Sequence, residues 1–270
     1  AFADLHVFPG GAVDKADADE RWKEILPGPE LERVRRSDVP LRFYIAAIRE
    51  TFEECGIRLF DPDVALPPSA VAELRHKVHD DATNFLNLPT TTGAVPAPSR
   101  LAPFSRWIGP KHLKSRFDTQ FFLACVGSDG ESGVAVADGE EILAATWLRP
   151  SEFLAKFERQ EIQLLPPQFV TITELSRLRF ADLQEYTTGV RTRTALDLSP
   201  WLPEVIPNRA RPGWFDSVLP GDKLHSSATD ETPKGARHRT VSFNDEKGVM
   251  RKLEYVRDLD GRGGVEKGKL

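Results

Sequence analysis

Residues 40 to 56 restrict this chain more than any other stretch, because their pattern is helical and two-faced. At about 100° per residue, Leu41, Ile45, Ile48 and Phe52 share one side of the wheel, while Glu50, Glu53 and Glu54 lie within about 100° of one another on the other. Ser37 or Asp38 can cap such a helix, Pro40 suits its first turn and Gly56 can end it. The apolar stripe ties the helix to a core. The acidic face works against it, since each like-charged neighbour costs about 0.2–0.5 kcal/mol. A hard divalent cation such as Mg²⁺ or Mn²⁺ selects this arrangement where stability does not, because it prefers oxygen ligands and shares them with phosphates. Alone, Glu-x-x-Glu-Glu reads as a solvated acidic face, so the surrounding sequence has to decide.

Composition sets the outer limits. A chain of 270 residues, 40% hydrophobic, suffices for one domain, or a domain plus a tail. The net charge of -5 gives no general reason to expect nucleic-acid binding through a basic face. Cys55 and Cys125 alone make neither a disulfide framework nor a four-thiolate zinc site, so the chain reads as intracellular and reduced. The longest apolar run, 121 to 126, is far short of the ~20 residues that span a bilayer. The sequence starts at Ala1 with Met250 as its one methionine, and an N-terminal portion is expected to precede it.

Residues 5 to 8 read as a strand end before the Pro9-Gly10-Gly11 turn. Residues 14 to 39 are polar and read as a solvated surface insertion. A helix is expected over about 69 to 79, strands over 101 to 108, 117 to 126 and 142 to 148, and helices over 151 to 160, 168 to 177 and 180 to 187. From about 218 the chain turns polar. One hairpin is expected there, Thr240 to Phe243 against Val249 to Tyr255, and otherwise disorder. The division that follows is a domain over 1–217 and a tail over 218–270. Helices and strands without strict alternation suggest α/β layers rather than a doubly wound parallel sheet.

The run Arg49-Glu50-Thr51-Phe52-Glu53-Glu54-Cys55-Gly56-Ile57, with Phe8-Pro9-Gly10-Gly11 before it, resembles the Nudix box. That pattern is glycine, five residues, glutamate, seven residues, then Arg-Glu-aliphatic-x-Glu-Glu-x-Gly-aliphatic. Thr51 stands where an aliphatic residue is usual. The gap from Gly11 to Arg49 is about two dozen residues too long, so the early glutamate is displaced or replaced, with Asp14 and Asp17 as candidates. An interruption here is similar to the Nudix subgroup typified by nucleoside diphosphate-linked moiety X motif 19, a coenzyme A diphosphatase. Segments 46–54, 116–122, 141–147 and 164–169 look like that subgroup too, and the likeness covers most of residues 5 to 200.

The resemblance implies a Nudix α/β/α sandwich with a mixed sheet, its first strand or strands missing from this chain, plus extra C-terminal helices. It implies that Glu50, Glu53 and Glu54 ligate Mg²⁺ or Mn²⁺, with the Gly11 carbonyl contributing, and that Arg49 positions the carboxylates or meets a phosphate. The general base is Glu50 or a later acid, with Glu141 the candidate because it precedes a strand expected beside the site. Arg106 and Arg116, in a loosely basic stretch with Arg100, Lys111 and Lys114, suit a 3′-phosphate, and Trp107 or Trp147 an adenine ring. Each is otherwise an ordinary loop or packing residue. His76, His79 and His112 lack metal-ligand company and read as structural or exposed, and Cys55 reads as core. The implied reaction converts coenzyme A or acyl-coenzyme A to 3′,5′-ADP and (acyl-)4′-phosphopantetheine. ADP-ribose or another nucleoside diphosphate derivative is the alternative substrate, and a non-catalytic ligand sensor the alternative function. No nucleic acid or membrane partner is expected. Gly268-Lys269-Leu270 resembles the Ser-Lys-Leu peroxisomal signal, with glycine as the departure.

Overall fold

The computed structural model describes residues 5–126, 135–137, 144–189, 198–246 and 250–260. Leu5 forms a lone parallel bridge to Gln163, so the expected strand end is reduced to one contact. The turn follows, with Gly10 at φ +146.

The insertion at 14–39 is not the solvated loop its polarity suggests. It holds a 3-10 turn (Ala16–Ala18), a one-turn helix α1 (Trp22–Ile25) and helix α2 (Gly28–Arg35). Trp22 is only 1% exposed; its indole N–H donates to the Ala16 carbonyl at 2.8 Å, and its ring packs on Phe85. Ala16, Leu26 and Val34 are buried beside it. Mean polarity misleads here because a few apolar residues, spaced apart, reach the core while the charged ones between them stay wet.

Helix α3 (Leu41–Cys55) forms where the periodicity places it. Neither Ser37 nor Asp38 caps it. Pro40 takes the N-cap position with no side-chain bond, and the Ser37 hydroxyl donates to the Val34 carbonyl at the end of α2 instead. Gly56 ends it at φ 70, its N–H donating to the Phe52 carbonyl at 2.8 Å. Tyr44, Ile45, Ile48 and Phe52 are fully buried and share a core with Trp22, Phe60, Phe85 and Leu88. Each large apolar side chain so buried contributes about 1.5–3 kcal/mol.

Strand β1 (Phe60–Asp61) pairs antiparallel with β2 (Val95–Pro96). Helices α4 (Pro68–Asp80) and α5 (Leu88–Thr92) lie between them in sequence. Strand β3 (Leu101–Ile108) is antiparallel to β4 (Asp118–Ala124) and parallel to β5 (Pro200–Trp201), making a mixed sheet of order β4-β3-β5. Helices α6 (Pro150–Glu158), α7 (Pro166–Ser176) and α8 (Phe180–Thr188) match expectation. The strand expected over 142–148 does not: residues 144–148 are not strand, and 142–143 lie outside the described residues. Trp147 there is 66% exposed, so the apolar stretch has no face to bury.

The expected polar tail is also corrected. Strands β6 (Glu204–Pro207), β7 (Trp214–Val218), β8 (Arg237–Asn244) and β9 (Met250–Asp258) form an antiparallel sheet in sequence order. The expected hairpin is its last pair, with Thr240 opposite Tyr255; Val249 lies outside the described residues. A division between 217 and 218 falls inside β7. Leu253 and Tyr255 share a second core with Trp107, Leu164, Phe169 and Trp201, so the sheet is packed on what precedes it. Its buried positions include His238, Thr240, Ser242 and Asp216, which is why hydrophobicity alone hides it.

Candidate active site

The apolar stripe of α3 fixes the helix in the first core and leaves Arg49, Glu50, Glu53 and Glu54 facing the glycine turn and the insertion. The turn rests directly on the carboxylates. Gly10 donates its N–H to Glu54 Oε2 at 2.9 Å. A Cβ on Gly11 would lie 2.6–2.7 Å from the Glu50 carboxylate, so any other residue here would have to displace that carboxylate from its place on Arg49. The two separated parts of the motif therefore meet across the insertion.

Arg49 stands at the centre. Its Nε and Nη2 each donate to Asp17 at 2.8 Å, a bidentate pair, and Nη1 donates to Glu53 Oε1 at 2.7 Å. Nη2 also lies 2.9 Å from Glu50 Oε1 and donates to the Ala12 carbonyl at 3.2 Å. Of the two candidates for the early acid, the structure turns Asp17 to Arg49. Asp14 instead accepts from the Ala16 N–H and donates its own N–H to Asp17.

These groups are buried: Arg49 and Asp17 side chains are 5% and 1% exposed, and Glu50, Glu53 and Glu54 are buried with them. Burial alone would lower the Arg49 pKa, but Asp17, Glu50 and Glu53 outweigh it and hold the guanidinium charged beyond its ordinary range. Burial pushes Glu50 and Glu53 above the usual carboxylate range, and Arg49 offsets this only in part. Three carboxylates, of Asp17, Glu50 and Glu53, share the one Arg49 guanidinium.

Two residues on α4 escaped the sequence reading. Arg75 donates from Nε to the Glu53 carbonyl at 2.8 Å and from Nη2 to the Glu54 carbonyl at 2.9 Å, closing the C-terminal end of α3. His79, read from sequence as structural or exposed, puts Nδ1 3.9 Å from Glu53 Oε2. They sit four residues apart on one helix face, but only the packing of α4 on α3 reveals their target.

The other expected site residues are not gathered here. Arg106 pairs bidentately with Asp118 across β3 and β4, at 2.8 and 2.6 Å. Arg116 donates Nε to the Gly109 carbonyl. Trp147 is exposed, while Trp107 is buried against Trp201. Glu141 and the Gly268-Lys269-Leu270 terminus lie outside the described residues. Cys55 is buried in the core, as expected.

The donor set of Glu50, Glu53 and Glu54, hard carboxylate oxygens on one helix, suits Mg²⁺ or Mn²⁺ by chemistry. Among the described residues no three acidic, histidine or cysteine groups converge on one point as a ready-made metal cage. The carboxylate oxygens are turned instead to Arg49 and the Gly10 amide.

Comparison with known proteins adds independent findings. A family model described as the NUDT19 Nudix domain matches residues 29–178. Acyl-coenzyme A diphosphatase NUDT19 of Gallus gallus is 33% identical over 305 residues, covering 96% of this chain and 76% of that protein. The Homo sapiens protein of the same name is 29% identical, over 83% of this chain and 69% of its own length. In fold, the chain is similar to the crystal structure of a NUDIX hydrolase from Alicyclobacillus acidocaldarius, with TM-score 0.50 and 22% identity over 65% of this chain and 77% of that one. Gly10, Gly11 and Asp17 precede the family-model match, so their role rests on the geometry above.

Proposed function

We propose that this chain, which belongs to the NUDT19 Nudix domain family, hydrolyses the diphosphate link of coenzyme A or acyl-coenzyme A, releasing 3′,5′-ADP and (acyl-)4′-phosphopantetheine. The observation that carries the reading is the charge around α3: the buried carboxylates of Asp17, Glu50 and Glu53 on the one Arg49, with Glu54 on the glycine turn. Relatives named acyl-coenzyme A diphosphatase, aligned over most of the chain, support the substrate. The mixed sheet with its flanking helices supports the α/β/α sandwich of the family.

Glu50, Glu53 and Glu54 would hold Mg²⁺ or Mn²⁺, with the Gly11 carbonyl as a further oxygen. When bound, the ion polarises the diphosphate and lowers the pKa of the attacking water. The rest belongs to the chain. Arg49, locked by Asp17, orients the Glu50 and Glu53 carboxylates and offsets part of the cost of their burial. Glu54 pins the glycine turn through the Gly10 amide, and Arg75 holds the end of the helix on which these groups stand. Glu50 or Glu141 takes the proton from the attacking water. Arg116 and Trp147 are the exposed candidates for substrate phosphate and adenine. Arg106 shares this role only if it releases Asp118.

Incubation with coenzyme A and Mg²⁺, followed by product analysis, is expected to yield 4′-phosphopantetheine. Its absence would sink the proposal. Glu53→Gln is expected to lower kcat by about 100-fold or more, some ~2.7 kcal/mol of barrier, while the fold persists.

A further inference from the structure

Beside the N-terminal end of β8 lies a cleft of ≈ 330 Å³ whose polar lining is cationic: Lys223, Lys234, Arg237 and Arg239, with Leu224 as an apolar wall. On a chain of net charge -5 such a concentration is unexpected. Its construction is specific. Arg237 and Arg239 alternate with His238, so both project to one side of the strand while His238 is buried against Trp201 and Tyr255 on the other. Arg239 is held in place. Its Nε and Nη2 donate to Asp222, its Nη1 to Asp216, each at 2.7 Å, and both acids are buried. Those bonds use three of its five N–H groups. Asp258, also buried, lies 3.9 Å from Arg237. Asp216, opposite Val241, and Asp258, opposite Arg237, project to that same face, so the acids stand beside the arginines, and the two lysines add the further positive charge of the lining. Lys223 is tethered through Nζ to the Thr229 carbonyl at 2.8 Å, and Lys234 is exposed.

Folding accounts for Arg239 and its two acids but not for adding two lysines and a second arginine to the same recess, where like charges repel. We propose that this cleft binds a phosphate-bearing small molecule. Arg239, oriented by Asp216 and Asp222, keeps two N–H groups for phosphate oxygens, and Arg237 and the lysines supply further point charge. Leu224, 58% exposed, offers apolar contact to the organic part of such a ligand. The cleft recruits phosphate with its own cations, whereas the carboxylates of α3 repel phosphate unless a metal intervenes.

That contrast supplies the test. The full chain is titrated with inorganic pyrophosphate by calorimetry in EDTA at low salt. Saturable binding with Kd of about 1 mM or tighter is expected, weakening as salt rises. Lys223→Glu with Lys234→Glu should weaken it by about tenfold or more, and Lys234→Glu alone by several-fold. The single change at an exposed lysine guards against misfolding. No saturable binding in the wild type, or binding unchanged in both variants, overturns the proposal. Because no metal or turnover is involved, the result is independent of the hydrolase reading. A raised KM for coenzyme A in the double variant would identify the phosphate as the substrate's own; an unchanged KM beside lost pyrophosphate binding would identify a second ligand.

Discussion

Arg49 and Glu174 are both buried charges that join distant parts of the chain, yet their surroundings are inverted. Arg49 has Asp17, Glu50 and Glu53 around it, with Glu54 alongside, a surplus of acids over one cation. Glu174, on α7, accepts from the Tyr255 hydroxyl at 3.0 Å and from Arg257 Nη1 at 2.7 Å, a carboxylate met by one guanidinium and one neutral donor. Beyond it His238 lies 3.2 Å from the same hydroxyl, and Arg177 sits over the Tyr255 ring. The second cluster meets its carboxylate with cations and fastens β9 to α7. The first is unbalanced and borders a glycine turn that keeps backbone close and side chains out. Balanced burial is what structure alone requires. Surplus charge of one sign, held in place at some cost, marks the place where a counter-ion is expected to act.

The largest effect should come from Asp17, which the comparison makes a positioning residue. Asp17→Asn keeps the shape and removes the charge that locks Arg49. Expected is a fall in kcat of about 10–100-fold with KM for coenzyme A little changed, as for partners that orient first-layer groups at metal sites. An unaltered kcat would mean that Glu53 and Glu50 alone hold Arg49, and that the insertion contributes packing only.

Glu174→Gln should do the reverse. It leaves Arg257 without its charge-assisted partner and is expected to cost about 1.5–3 kcal/mol of stability, read from denaturant midpoints. Activity per folded molecule should not move. A loss of kcat at full folding would erase the distinction between the two clusters.

The two regions also differed in how far the sequence disclosed them. The acidic face of α3 and its apolar stripe follow from helical period, and Gly56 from its cap chemistry; both are local rules. The meeting of Gly10 with Glu54 was legible only through the family pattern. Trp22 was hidden because a single large residue in a polar stretch leaves no periodic signal, though its burial makes the insertion part of the core. Arg75 and His79 depend on where α4 docks, which no spacing rule contains. The C-terminal sheet was missed because its buried face carries His238, Thr240 and Ser242, with His238 bonded to the Pro220 carbonyl, the Tyr255 hydroxyl and, through its N–H, Asp222. Alternation of polar with polar looks like a tail until the partners are in place.

The smallest expected effect separates the clusters by sign. Burial raises the folded-state pKa of Glu50 and Glu53, so the folded chain binds protons more readily than the unfolded one. Without metal, this pair therefore favours folding less as pH rises through the raised values, and more as pH falls towards them. Glu50→Gln removes part of that penalty. In EDTA at pH 7 the variant should melt a few °C above the wild type, about what 1 kcal/mol produces in a chain of this size. The difference should shrink towards pH 4 as the wild-type carboxylates take up protons. Glu174→Gln shifts Tm the other way at pH 7, because its carboxylate is already paired. If Glu50→Gln melts below the wild type in metal-free buffer, the acids around Arg49 are balanced after all, and the charge argument for a counter-ion at α3 fails.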